Sequence, residues 1–165
     1  MLSSIIWTPL LFGLIGLLVP KRFAAWTAVL GTVVTLGLAI GVLAGFETGG
    51  GPQFVTDIAW ISGLGINYGL AVTGVSLVLI LLTTVAWIPA AGFSALRGVE
   101  RPALYYFMLL AGETATLGAF LSTDLLLFVL FFDLMIVPFY FLFGIWGRDR
   151  GGENDPEGSA GKGLV

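Results

Sequence analysis

Five long apolar stretches constrain the fold of this 165-residue chain more than any other feature of its sequence. A helix of about 20 mostly apolar residues crosses the roughly 30 Å hydrocarbon core of a bilayer. The predicted spans are residues 2–19, 23–46, 73–96, 103–121 and 125–147. The predicted fold class is therefore an all-α polytopic membrane protein, with a five-helix transmembrane domain over residues 1–147.

The composition agrees with a membrane protein and excludes several chemistries. Hydrophobic residues make up 58% of the chain and charged residues only 10%, whereas soluble domains carry about 25% charged residues. The chain contains no cysteine and no histidine, which excludes disulfides, thiolate chemistry and imidazole relays or ligands. No run of basic residues indicates a nucleic-acid partner. The lipid bilayer is the partner that the composition predicts.

The basic residues predict an orientation, because Lys and Arg concentrate in short cytoplasmic loops. The loop at 47–72 and the turn at 122–124 contain neither residue. The basic residues occupy the alternate connections and the tail: Lys21, Arg22, Arg97, Arg101, Arg148 and Arg150. This pattern predicts the N-terminus outside and the C-terminus in the cytoplasm. The first stretch could also be a secretory signal, but the absence of a preceding positive charge favours a retained span.

The segments between and after the spans have their own signatures. Gly49–Pro52 breaks the helical pattern, and the partial alternation over residues 54–61 predicts a short strand or hairpin in the external loop 47–72. The polar, glycine-rich residues 148–165 predict a disordered cytoplasmic tail. Within the second span, Gly37, Gly41 and Gly45 form two GxxxG patterns. These patterns permit close helix packing, although glycine is also common in membrane helices.

Two carboxylic acids, Glu113 and Asp133, lie deep inside the fourth and fifth spans. Each is ten residues from Thr123 in the intervening turn, which corresponds to about 15 Å along a helix. An antiparallel hairpin would therefore place both acids near mid-membrane at similar depth. Their contact stays open, because depth does not determine the direction in which each side chain faces.

The hydrocarbon environment limits what these acids can do. Burying Asp at the bilayer centre costs about 2.5–3.5 kcal/mol, and the predicted spans contain no Lys, Arg or His to offset this cost. Desolvation favours the neutral, protonated form. Glu113 and Asp133 are therefore predicted to be protonatable sites on a proton route. The alternative is a permanently protonated acid hydrogen-bonded to a helix backbone or to Thr114, Thr116 or Tyr140.

Two further residues have predicted structural roles in the fifth span. Asp124 stands at its start, where an Asp side chain caps free backbone N–H groups. Pro138 follows Asp133 by five residues and removes one helix hydrogen bond. A helix kink is predicted at Pro138, either to admit water beside the acid or as a purely structural feature.

The segment from Asp124 to Gly147 resembles the fifth helix of chain M, the mitochondrial subunit 4 type, of proton-pumping NADH:quinone oxidoreductase (respiratory complex I). That family shows an Asp, seven mostly apolar residues, Trp-Glu, and a Pro five residues after the Glu. Residues 67–77 and 113–120 are similar to its helix-three entry and fourth helix. Departures occur at Asp133, Phe132 and Thr73, where the family has Glu, Trp and Asp.

The resemblance implies a truncated or fragmentary membrane-arm subunit that contributes Asp133, assisted by Glu113, to proton translocation in an inner or cell membrane. The family's lysines that pair with the helix-five acid lie in later helices. Other complex I membrane subunits, or those missing helices, are the implied partners. Quinone, NADH, FMN and iron–sulfur clusters would be bound by other subunits, so the implied enzyme activity belongs to the complex.

Three alternatives remain open from the sequence. The first is a structural protein that packs in a respiratory assembly without conducting protons. The second is a non-functional gene remnant. The third is part of an Mrp-type cation/proton antiporter, which shares this helical module, although the fifth-span motif favours the oxidoreductase.

Overall fold

Five α-helices and one two-stranded antiparallel sheet make up the computed structural model, which describes residues 2–47, 49, 51–61 and 66–147. The helices are α1 (Leu2–Leu18), α2 (Lys21–Ala44), α3 (Gly74–Arg97), α4 (Pro102–Leu121) and α5 (Leu125–Trp146); the strands are β1 (Gln53–Ile61) and β2 (Ile66–Val72). Every helix end lies within two residues of its predicted span. The tail at 148–165, predicted to be disordered, lies outside the described residues.

The described helices suit a bilayer. Helices α2 to α5 are long and apolar enough to cross a membrane. Helix α1 has 17 residues, which is the lower end of the length that spans hydrocarbon. The chain is therefore a membrane-embedded, multi-pass protein.

Local chemistry explains where several helices begin. Thr73 precedes α3 and forms a capping box with Ser76: its hydroxyl accepts from the Ser76 N–H at 3.2 Å, and its own N–H donates to Ser76 Oγ at 2.7 Å. Pro20 separates α1 from α2, and Pro102 occupies the first turn of α4, where its missing N–H has no helical partner to lose. These residues place the turns between the spans.

Helix α4 lies at the centre of the bundle. It packs against α1, α2, α3 and α5, and most of its residues are buried. Helix α5 is peripheral: only Leu127, Phe131 and Pro138 are buried, and the helix packs mainly on α4. The part of the chain that the structure describes therefore leaves most of α5 uncovered.

Close helix contacts involve glycines outside the predicted GxxxG pattern. The Phe131 ring of α5 lies directly against Gly118 of α4, and Phe12 of α1 lies against Gly31 of α2. By contrast, Gly37 is exposed, and a Cβ added there would meet no atom within 4 Å beyond its chain neighbours and the backbone of its own helical turns. Within this structure, the pattern beginning at Gly37 does not bring two helices together.

The loop between α2 and α3 forms a hairpin that closes one end of the bundle. Strands β1 and β2 pair in antiparallel fashion, which confirms the predicted hairpin and adds a small sheet to the predicted all-α fold. Leu70 also forms an isolated bridge with Ser122, and the Thr123 N–H donates to the Gly69 carbonyl at 3.0 Å. The hairpin is thus attached to the turn between α4 and α5.

Candidate functional site

Glu113 lies inside the helical bundle with no solvent exposure. It occupies the middle of α4, the helix that the others surround. Neither carboxyl oxygen has a hydrogen-bond partner among the described residues, and the adjacent Thr114 hydroxyl is also buried without one. Since buried polar groups in proteins are usually paired, an unpaired carboxyl here is exceptional.

The side chains that the sequence suggested as partners do not bond Glu113. The Thr116 hydroxyl donates to the Gly112 carbonyl at 2.8 Å and also contacts Met135 Sδ at 3.3 Å. Tyr140 is 73% exposed on the outer side of α5. The alternative of an acid permanently bonded to one of these hydroxyls is therefore wrong for Glu113 in this structure.

Asp133 lies on the opposite, exposed face of α5. The buried residues of that helix are Leu127, Phe131 and Pro138, which form the stripe that packs on α4. Asp133 follows Phe131 by two residues, a rotation of roughly 200° around the helix. The acids therefore do not form a contacting pair, because Glu113 is inside the bundle and Asp133 points away from it.

Pro138 lies within α5 and is buried against α4. A Cβ placed on Gly112 would be 3.9 Å from Pro138 Cγ and 3.8 Å from Phe139 Cζ. Because proline has no N–H, the carbonyl four residues earlier, at Leu134, receives no helical hydrogen bond from it. Leu134 directly follows Asp133. The Asp133 carboxyl and the Leu134 backbone carbonyl, both able to accept a hydrogen bond, are therefore adjacent in the sequence. The predicted kink stays a prediction.

Asp124 closes the N-terminal end of α5. Its Oδ1 accepts hydrogen bonds from the N–H groups of Leu126 at 2.8 Å and Leu127 at 3.3 Å. These two groups belong to the first turn, where backbone donors have no partner within the helix. Asp124 therefore has a structural position at the turn, distinct from the positions of the two acids within the spans.

Replacing Asp124 with alanine is expected to destabilise the protein by about 1 kcal/mol, because two N–H groups lose their acceptor. Asparagine caps equally well, so Asp124→Asn serves as the matched control and should stay near wild type. Thermal unfolding in detergent measures both changes. Equal losses in the two variants would show that charge, rather than capping, accounts for the effect.

Comparisons with known proteins identify relatives over most of this chain. No family model matches it. The chain is 32% identical over 147 residues to subunit M of the F(420)H(2) dehydrogenase of Methanosarcina mazei, covering 88% of this chain and 30% of the relative. It is 40% identical over 127 residues to NADH-quinone oxidoreductase subunit M of Rhodobacter capsulatus, covering 76% of this chain and 24% of the relative.

The chain is homologous to part of subunit M. The predicted resemblance is thereby confirmed, over 24–30% of the length of those two relatives. A chain of respiratory complex I from Thermus thermophilus, solved with bound NADH, shares the fold with a TM-score of 0.74 and 22% identity. That match covers 88% of this chain and 29% of the solved one.

The structure gives a reason for one departure from the subunit M pattern. Thr73, where the resemblance implies an aspartate, supplies the capping oxygen at the entry to α3. Both residue types accept hydrogen bonds from first-turn N–H groups, so an aspartate at this position would be able to cap α3 as Thr73 does. The substitutions at Asp133 and Phe132 both lie on the exposed side of α5, where no described side chain compensates for the changed size.

Sequence reasoning overlooked the buried hydroxyls of α2 and α3. Thr32, Thr35, Thr83 and Thr84 are buried, and each hydroxyl donates to a carbonyl of its own helix. The sequence feature that could have predicted them is a pair of threonines near the middle of each of these two apolar spans.

Among the described residues, no group of three or more His, Cys, Asp or Glu side chains could hold a metal ion.

Proposed function

We propose that this chain is part of a membrane-arm subunit of a complex I-like quinone oxidoreductase and that it contributes protonatable acids to proton translocation. Glu113 carries the proposal, since it is completely buried and both of its carboxyl oxygens are unpartnered. Subunit M homology supplies the biochemical context. Glu113 is the internal proton site and Asp133 the outward-facing one.

The isolation of Glu113 argues for a functional role. An unpaired buried polar group lowers stability by about 1–3 kcal/mol, and an apolar residue of similar size would avoid this cost. Acids inside membrane spans are characteristic of ion and proton routes. A carboxyl without fixed partners can gain a proton from one neighbour and pass it to another without first breaking a strong hydrogen bond.

Asp133 requires a protein or aqueous neighbour beyond the described helices. An aspartate facing hydrocarbon costs about 2.5–3.5 kcal/mol, and the exposed face of α5 carries this acid. The relatives are several times longer than this chain, so further helices or another membrane subunit form the proposed neighbour. A lysine from that neighbour would offset the charge of Asp133.

The charges at the two ends of the bundle support the proposed orientation. The hairpin end carries Glu47, Asp57 and Asp124, whereas Lys21 and Arg22 begin α2 at the other end. A helix N-terminus disfavours cations, so local helix electrostatics do not account for the positions of Lys21 and Arg22. The positive-inside rule does. The proposed orientation therefore has this end in the cytoplasm and the N-terminus of the chain outside, and the proposed location is the cell or inner membrane.

Any oxidation of a nicotinamide or reduction of a quinone is assigned to other subunits of the proposed complex, together with their flavin and iron–sulfur groups. The proposed task of this chain is to bind and release protons. An Mrp-type antiporter would use the same acids, and a requirement for a metal cation during proton flux would favour that alternative.

Proton flux across reconstituted vesicles tests the proposal. The chain should be purified from its native membrane with any co-purifying subunits, and flux followed with a pH-sensitive dye. Asp133→Asn keeps the side-chain size but cannot ionise, so flux should fall to the level of protein-free vesicles. Asp124→Asn is the matched control at an acid outside the route. Equal flux in wild type and Asp133→Asn would contradict a proton-carrying role for this residue.

A further inference from the structure

Trp87 lies deep in α3, where its half-buried ring faces the neighbouring helices α4 and α5. It precedes Arg97, the last residue of α3, by ten residues, which corresponds to about 15 Å along a helix. This distance is half of a hydrocarbon core of about 30 Å, whereas tryptophan in membrane proteins is typical of the interface. Hydrocarbon supplies no acceptor for an indole N–H, so Trp87 needs one from the protein.

That acceptor is the backbone carbonyl of Leu109 in α4. Trp87 Nε1 donates to this oxygen at 3.0 Å. In an α-helix the same carbonyl accepts the N–H of the residue four positions later, which is Glu113. A carbonyl oxygen has two lone pairs and can accept both donors, so the indole bond adds to the helical one. Trp87 therefore holds the helical turn that carries the buried acid.

Buried hydroxyls in α2 and α3 behave differently from this indole. Thr83 and Thr84 in α3, and Thr35 in α2, donate to carbonyls of their own helix. Such bonds satisfy the hydroxyl without attaching one helix to another. The Trp87 bond joins α3 to α4, so it restricts the rotation and the axial position of α4 relative to α3.

The Trp87 ring also contacts α5. Its centre lies 6.3 Å from that of Phe139, in an edge-to-face arrangement that attracts beyond the burial of the two rings. A Cβ added to Gly112 would lie 3.9 Å from Trp87 Cζ2 and 3.8 Å from Phe139 Cζ. Both rings therefore lie beside the residue that precedes Glu113, and Trp87 joins its own helix to α4 and α5 at the level of the buried acid.

We propose that Trp87 is a positioning residue for Glu113. The inference deepens the proposed function and rests on it. Neither carboxyl oxygen of Glu113 has a hydrogen-bond partner among the described residues, so the position of the carboxyl follows that of the α4 backbone. The indole bond at Leu109 fixes this backbone one turn away. Because proton transfer requires hydrogen-bond geometry, a displaced turn should slow transfer through Glu113.

Trp146 provides a matched control. Its indole N–H also donates to a backbone carbonyl, that of Glu100, at 2.7 Å. Its ring also meets another ring edge to face, that of Tyr105, with the centres 5.2 Å apart. This bond joins the end of α5 to the loop between α3 and α4. Phenylalanine at either position removes an equivalent bond, but only Trp87→Phe removes one from the turn of the buried acid.

Proton flux and infrared spectroscopy of the protein, purified with any co-purifying subunits and reconstituted in vesicles, test this role. Trp87→Phe should lower flux about fivefold, the factor that corresponds to one net hydrogen bond, and Trp146→Phe should leave flux at the wild-type level. The infrared band of the Glu113 carboxyl is identified by its loss in Glu113→Gln. This band should shift or broaden in Trp87→Phe and stay unchanged in Trp146→Phe, because only the first substitution releases the turn.

Benzothienylalanine introduced in place of Trp87 separates the hydrogen bond from packing, since sulfur replaces the N–H while the ring keeps its size. It should reproduce both effects of Trp87→Phe. Unchanged flux and an unchanged band in this variant would overturn the proposal, as would equal changes in Trp146→Phe. Normal flux in Glu113→Gln would contradict the proposed function instead, and the infrared comparison would still decide whether Trp87 positions the acid.

Discussion

Replacing Glu113 with leucine is expected to stabilise the protein and, at the same time, to abolish proton transfer through it. The substitution removes two buried oxygens that have no hydrogen-bond partner and puts apolar atoms in an apolar interior. The free energy of unfolding should rise by about 1–3 kcal/mol. Proton flux in vesicles should fall to background, because leucine cannot carry a proton. Thermal unfolding in detergent measures the first effect and dye-detected flux the second.

Glu113→Gln separates these two effects. Glutamine also cannot exchange a proton as a carboxylic acid does, so flux should again be lost. Its amide remains a buried polar group, so the stabilisation seen with leucine should be absent. A loss of stability in Glu113→Leu would contradict the prediction, because it would mean that the carboxyl makes a favourable interaction in the folded protein. Such an outcome would favour a structural role for Glu113.

Replacing Gly118 with alanine is expected to weaken the packing of α5 on α4 by about 1–3 kcal/mol. The Phe131 ring lies so close to Gly118 that an added Cβ would overlap three of its carbon atoms. Phe131 is itself buried and belongs to the narrow stripe by which α5 contacts the bundle, so the ring cannot move without opening that contact. A lower midpoint of thermal unfolding is the measurement.

Gly37→Ala is the matched control in another helix. An alanine Cβ at Gly37 would contact no side chain within 4 Å. Because alanine has a better helix propensity than glycine, the free energy of unfolding should stay unchanged or rise by up to about 1 kcal/mol. Phe131→Leu combined with Gly118→Ala should recover part of the lost stability, since the smaller side chain leaves room for the new methyl group. Equal effects of alanine at Gly37 and Gly118 would show that the ring contact is unimportant.

The sequence predicted the parts of this fold that depend on local composition. Hydropathy located all five helices, because each apolar run is interrupted by proline, glycine or charged residues. Alternation over residues 54–61 predicted the hairpin. The prediction of acids at the middle of adjacent helices needed only helix length and the position of a turn.

The direction in which Asp133 faces could not be predicted in the same way. Helix α5 is apolar on all sides apart from this acid, so its sequence contains no polar face that would identify the opposite, packed one. The small surface of Gly118 and the shape of Phe131 select the contact stripe, and both depend on the neighbouring helix.

The bridge between Leu70 and Ser122 has a consequence for biogenesis. It joins a strand that precedes α3 to the turn that follows α4, so the strand lacks this partner until the fourth helix has been inserted. The hairpin end of the bundle is therefore completed late, after both α3 and α4 have been added to the chain. Protection of the Thr123 amide from hydrogen exchange, through its bond to Gly69, would report on a chain whose insertion has reached that stage.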